Sequence, residues 1–291
     1  MSRWRRAAPW CLAFVLLLAM HIVHLSADQA RADIPRLQRF ALLPDGSTLK
    51  AMSLGFRNVV ADILWLQAIQ TLGERQVSDE AGRWIYRAMD IVTTLDPKFV
   101  EAYEAGGIAL CTVVVMPEES NRILEKGMQN NPEEWRLPFM LGINYYFELA
   151  DDAKAAEYVA KAAAIGGGPQ YLASFASRLY MTAKEPQKAV DLLAQSYEQA
   201  TDLQMKAYLE YRLKEALVEG DLQTFERAIA AYRQRFDRPP VSLGDLVTAR
   251  LIPAVPLEPM GGFYLYDLNT QTVRSTSAER RFQANGHRRQ R

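Results

Sequence analysis

Glu133–Pro169 reads EEWRLPFMLGINYYFELADDAKAAEYVAKAAAIGGGP, and this stretch decides the fold. Trp135, Leu141, Gly142 and Tyr145 recur at helical spacing in its first half. Asp151-Asp152 marks a turn. Ala155, Ala156, Tyr158 and Ala162 recur at helical spacing in its second half, and a Gly-Gly-Gly-Pro run stops the chain. Apolar residues three and four apart form one stripe on a helix. The small residues have a physical purpose: only Gly or Ala lets two helix backbones approach closely where they cross. The stretch therefore predicts a helical hairpin whose aromatic residues are free to pack on its neighbours.

Working outward, the pattern repeats. Pro97, Pro132 and Pro169 close successive units at spacings of 35 and 37 residues. The preceding unit opens KFVEAYEAGGIALC, with Tyr103, Gly106 and Gly107, and closes ESNRILEKGMQNNP. The following one reads SFASRLYMTAKEPQKAVDLLAQSYEQATD, where Ala189 and Tyr197 take the small and large positions. Next comes MKAYLEYRLKEALVEGDLQTFERAIAAYRQRF, read as a hairpin turning at Gly220-Asp221 with Ala228 and Tyr232 in its second helix. Upstream, SLGFRNVVADILWLQAIQTLGE predicts a helix starting near Ser53 as cap, with Leu54, Val59, Ile63, Leu66 and Ile69 as its apolar face. Arg57, Asn58 and Asp62 interrupt it; Asn58 and Asp62 share a face and either bind a partner or meet water and neighbouring helix ends.

A period near 34 residues, with an aromatic and a Leu-Gly in the first helix and a small residue in the second, is the tetratricopeptide pattern. Residues 53–238 resemble that family, in four or five units. The resemblance implies an all-α, TPR-like α-solenoid of helical hairpins with a groove that binds protein. Outward positions of each first helix, Asn144, Glu148, Arg178 and Arg212, are the groove candidates. The SLGFRNVVADILWLQAIQ helix is also similar to the opening of some repeat-containing bacterial envelope proteins.

The two ends differ from this middle. Arg3, Arg5 and Arg6 precede an apolar stretch from Ala7 to Leu25. Arginines stay on the cytoplasmic side, so residues 1–30 predict a signal anchor or a cleaved signal peptide, with the body in the periplasm. His21 and His24 share one face of that helix, where the anchor would meet the interface. Residues 31–52, with Pro35, Pro44 and Gly46, read as a linker.

Residues 239–275 read as a short helix capped by Ser242, then two β-prone runs, Phe263–Tyr266 and Thr272–Ser275, as a hairpin. Leu246, Ile252, Pro256, Pro259, Gly261, Tyr264 and Tyr266 resemble the end of type II secretion pseudopilins over about 35 residues. The N-terminus lacks the prepilin cleavage pattern, so the likeness implies a shared structural element. That element either caps the last apolar face of the solenoid or docks a partner through Phe263, Tyr264 and Tyr266. Residues 276–291 read as a disordered basic tail.

Composition narrows the function. Setting aside the eight terminal arginines and Glu279 leaves 26 positive against 33 negative groups, so the body is acidic and poorly suited to nucleic acid. All three histidines lie in the end segments, so the body has no imidazole for triad chemistry or for a typical zinc site. Cys11 and Cys111 make no zinc framework. These features predict no cofactor, no metal, no small-molecule substrate and no catalysis. They favour a protein-binding scaffold of the envelope, or a structural component of a secretion or polysaccharide-export machine. A carboxylate-based glycan hydrolase is the enzymatic alternative, through Glu133-Glu134 or Asp151-Asp152. Those acids sit at turns and helix starts, where they complement the helix dipole.

Overall fold

The computed structural model describes residues 43–73 and 78–284, with Leu18, Met20 and His21 as isolated helical positions upstream. The anchor or signal reading falls almost wholly outside the described residues. Among those described, no helix is long and apolar enough to cross a membrane. The described chain is mostly helical, with a single two-stranded sheet. It divides into two compact units, 1–96 and 97–291.

The first unit holds α1 (Gly46–Met52), α2 (Arg57–Leu72) and α3 (Asp79–Leu95). α1 occupies the end of the segment read as linker. Its start is fixed by Asp45, whose carboxylate accepts the Ser47 and Thr48 amides at 2.9 and 3.0 Å. Bonds from the Ser47 hydroxyl, then from the Thr48 amide and hydroxyl, hold the Asp45 carboxyl below its ordinary range. α2 starts at Arg57 and not at Ser53, which instead ends α1. Leu54 and Gly55 have positive φ (47° and 94°), so the helix cannot run through them. α3 is capped by Ser78, whose Oγ accepts the Ala81 amide at 3.2 Å. It buries Trp84, Ile85, Ala88, Met89, Val92 and Leu95.

The second unit opens with α4 (Val100–Ile108), which runs into a π-helical turn at Ala109–Val113, then α5 (Pro117–Asn130). There follow α6 (Arg136–Phe147), α7 (Asp152–Ile165), α8 (Leu172–Thr182), α9 (Pro186–Gln199) and α10 (Leu203–Phe236). α6 packs on α7, α7 on α8, α8 on α9 and α9 on α10. Proline at the first position starts α5 and α9, where a missing amide costs nothing.

The glycines explain the close crossings. A Cβ on Gly142 would lie 2.5 Å from Val159 Cγ2 and 3.0 Å from the Ala155 carbonyl, so α6 and α7 can cross only there as they do. Gly107 stands in the same relation to Leu124, at 2.7 Å, between α4 and α5. The turn after α7 needs Gly166 and Gly167 for their positive φ of 82° and 71°.

The last repeat departs from the sequence reading. Gly220-Asp221 is no turn; α10 is one continuous 34-residue helix. Val218, Leu222, Phe225, Ile229 and Tyr232 keep one buried stripe in phase on both sides of Gly220. An interior glycine costs a helix only about 1 kcal/mol, which that burial outweighs. α11 (Leu243–Thr248) follows, with Ser242 and Asp245 forming a reciprocal capping box. β1 (Tyr264–Asp267) and β2 (Thr272–Ser275) pair antiparallel, Tyr264 opposite Ser275 and Tyr266 opposite Val273. α11 and the hairpin cover the C-terminal half of α10 through Leu246, Ile252, Val273, Tyr264 and Tyr266.

Candidate functional site

The first candidate surface lies in the 1–96 unit. α2 is apolar on two sides. Ala61, Leu64 and Ala68 face inward and are buried. Val59, Ile63 and Leu66, from the apolar face read in the sequence, point outward and are 53%, 52% and 59% exposed. Phe56 and Met52 extend this apolar surface toward the N-terminus of the unit. The sequence reading had the helix and this apolar face, but not the second, inward one. Alanine on the inner side permits a close approach to α3, and a small residue carries little hydrophobic signal. Asp62 is exposed beside Val59 and Leu66 on the outer face, and Asn58 and Arg57 are exposed at the helix start. A large apolar surface that stays open to water marks a contact site more often than chance.

The groove candidates of the 97–291 unit divide. Asn144 does not face outward: it is 6% exposed. Its Nδ2 donates to Ser120 Oγ at 2.8 Å and to Asn121 Oδ1 at 2.9 Å. Ser120 Oγ in turn donates to the Gly107 carbonyl at 2.7 Å. Three helices, α4, α5 and α6, are tied by this buried chain, so Asn144 is a structural pin. A polar residue on a helix can satisfy a buried network as readily as face water, and spacing does not distinguish the two. Asn131 acts similarly, donating from Nδ2 to the Pro97 carbonyl at 3.0 Å, ahead of α4.

Glu148 is half-buried at the C-terminal cap of α6, its amide bonded to the Asn144 carbonyl at 3.0 Å. Arg212 is half-buried on α10, paired with Glu215 Oε2 at 2.7 Å and laid against the Tyr208 and Tyr211 rings at 5.0 and 5.6 Å. Of these three candidates, Asn144 is buried, and Glu148 and Arg212 are half-buried in contacts within the chain.

Arg178 is occupied by the chain itself. Its Nε donates to the Gln283 carbonyl at 2.9 Å, and its own carbonyl accepts the Ala284 amide at 3.3 Å. The Ala284 amide also reaches Thr182 Oγ1 at 2.9 Å. Next to this, Phe282 is 6% exposed and joins the core that runs from α6 to α10. Arg281 clamps Glu219, Nε to Oε2 and Nη2 to Oε1, both at 2.6 Å. Residues 276–284 are therefore ordered against the body and are not a free basic tail; 285–291 lie outside the described residues. The reason is Glu219, which is 1% exposed on α10. A carboxylate so deep needs a charged partner, and no nearer cation supplies it. No local pattern signals this pairing, because Glu219 and Arg281 are 62 residues apart.

The hairpin tyrosines face α10. Tyr264 donates its hydroxyl to Asp221 Oδ2 at 2.6 Å and sets its ring edge-on to Phe225, centroids 5.2 Å apart. Burial and that bond push the Tyr264 phenol far up; burial raises Asp221 as well. Tyr266 is half-buried, its hydroxyl enclosed without a hydrogen-bond partner, while Phe263 is 74% exposed. Tyr264 and Tyr266 are thus spent on covering α10, and of the three docking candidates Phe263 alone is open.

The paired acids hold helix starts. Asp151 Oδ1 accepts the Lys154 amide at 3.0 Å and so caps α7. Glu134 is held below its ordinary range by Arg136, whose Nε lies 2.7 Å away. Glu133 lies 3.8 Å from Lys98. Among the described residues, no three His, Cys, Asp or Glu side chains are grouped to hold a metal ion. Comparison with known protein families, with curated proteins and with solved structures finds no match for this chain.

Proposed function

We propose that this chain is a non-catalytic protein-binding scaffold of the bacterial cell envelope, built from TPR-like helical hairpins. The observation that carries the reading is the outer face of α2. Val59, Ile63 and Leu66 are more than half exposed there, on a helix whose opposite face is fully used. Proteins keep such surface when a partner covers it.

The charge on that face describes the partner. Asp62 is exposed at the edge of the apolar row and has no ion pair among the described residues, so the complementary surface is an apolar helix face with a lysine or arginine set to meet Asp62. The N-terminal arginines and apolar stretch support an envelope location for both proteins.

The test is purification from detergent-solubilised membranes of the native host, with the wild type and with Ile63→Asp/Leu66→Asp. A single stoichiometric partner that is retained by the wild type and lost by the variant is expected. Asp62→Lys should weaken the same complex about tenfold. A wild type that elutes alone, or a partner that both forms retain equally, sinks the proposal.

A further inference from the structure

We propose that the cleft between α8 and α10 is a binding site for an extended peptide with an adjacent Arg-Phe pair, and that the chain's own residues 281–284 fill it as an exchangeable strap. The contacts have the form of a bound linear peptide and not of a packed secondary element. Four consecutive residues do four different things. Arg281 meets a buried acid, Phe282 enters an apolar pocket, the Gln283 carbonyl accepts from Arg178, and the Ala284 amide donates to Thr182.

The receiving groups all belong to the helices. Glu219 and Glu226 supply the charge, Arg281 Nη1 reaching Glu226 Oε1 at 2.7 Å. Gln223 steadies Glu219 from one turn away, donating to its Oε1 at 3.0 Å, and holds the Met181 carbonyl at 2.9 Å with the same nitrogen. The site is thus braced from within the helices, independently of the strap.

Beside Arg281 and Phe282, a crevice of about 110 Å³ lies between α10 and the end of β2, lined by Val218, Glu219, Leu222, Val273 and Ala278. The buried Glu219, the more exposed Glu226 and a backbone clamp on α8 select a basic-aromatic segment over an acidic one. A partner with that segment would compete with the strap, and the intact chain would bind it more weakly than a strap-released one.

The experiment uses the full chain carrying Arg281→Ala with Phe282→Ala, and a labelled peptide of residues 277–284 with an amidated end. Fluorescence anisotropy reads binding, and circular dichroism reads the fold. The expected result is a folded double variant that binds the peptide in the micromolar range, at least tenfold tighter than the wild type does. Binding should vanish when the peptide's phenylalanine is replaced by alanine, or when Glu219→Gln is added to the double variant. A double variant that unfolds would make the strap a fixed part of the core and overturn the proposal. So would peptide binding that is no tighter than to the wild type, or that ignores the phenylalanine. The α2 face lies elsewhere in the chain, and its partner test reads neither strap nor peptide, so either proposal can fail alone.

Discussion

The outer face of α2 and the crossing of α6 on α7 are equally apolar in sequence, yet they end in opposite places. At the crossing, Leu137, Leu141, Val159 and Ala162 are all fully buried, and Gly142 brings the two helices into contact. On α2, Ala61, Leu64 and Ala68 take the inward positions, and Val59, Ile63 and Leu66 are left outside. The difference teaches that size and hydrophobicity do not choose the buried side. The side that lets a neighbouring backbone come close is the side that closes, and what remains apolar on the other side is available for a partner.

The contrast can be broken most forcefully at its buried end. Leu141→Ala should destabilise the 97–291 unit by about 3 kcal/mol, the cost of a cavity at a fully buried leucine. Urea unfolding followed by circular dichroism measures it. A loss under about 1 kcal/mol would show that the crossing is not the tight contact described.

Asn144→Leu sharpens the same region. It leaves the Asn121 side-chain oxygen and the Ser120 hydroxyl without their buried donor, a cost of about 2 kcal/mol. Were Asn144 an outward groove residue, the same change would be nearly silent in the unfolding curve.

Glu258 tests the C-terminal cap and carries a pH signature. Burial acts to raise its carboxyl, but bonds from the Gly262 amide, the Ser275 hydroxyl and the Met260 amide outweigh it and hold the group below its ordinary value of 4.5. A depressed carboxyl stabilises the fold above the unfolded-state pKa, and that stability is lost as pH falls through the folded-state value. Glu258→Gln should therefore cost about 1–2 kcal/mol at pH 7. The gap to the wild type should narrow as pH drops below about 4.5. Thermal melts at pH 7 and pH 3.5 check both parts; a gap that widens in acid would mean the carboxylate is not the stabilising form.

The smallest effect belongs to the open end. Ile63→Ser with Leu66→Ser should change the stability of the 1–96 unit by no more than about 0.5 kcal/mol, as for ordinary surface positions. Leu64→Ala, one residue away and buried, should cost about 3 kcal/mol. Equal losses at Leu64 and at the outer pair would erase the distinction between the two faces.

Much of this was legible without coordinates. The helix-forming periodicity, the proline and Gly-Gly-Gly-Pro stops, the small residues at the crossings and the Ser242 cap are local features. Local backbone preferences and steric limits act over a few residues, so a sequence records them. The candidate sites were legible only in fragments. Arg178 and the hairpin tyrosines are in contact-making positions, but Arg178 meets the chain's own end and the tyrosines meet α10. Asn144 turned inward to a network whose other members, Ser120 and Asn121, are more than twenty residues away.

By itself, then, the sequence determined that this chain makes paired helices, where most of them stop, and that a short helix and hairpin follow them. Tertiary structure alone decided which face of α2 stays open, that α10 runs straight through Gly220, and that Arg281 and Phe282 fold back onto Glu219 and the core. The physical reason is range. Helix formation and turns are settled between near neighbours, whereas the burial of a carboxylate or the choice of a buried face depends on which distant groups arrive to desolvate and pair with it.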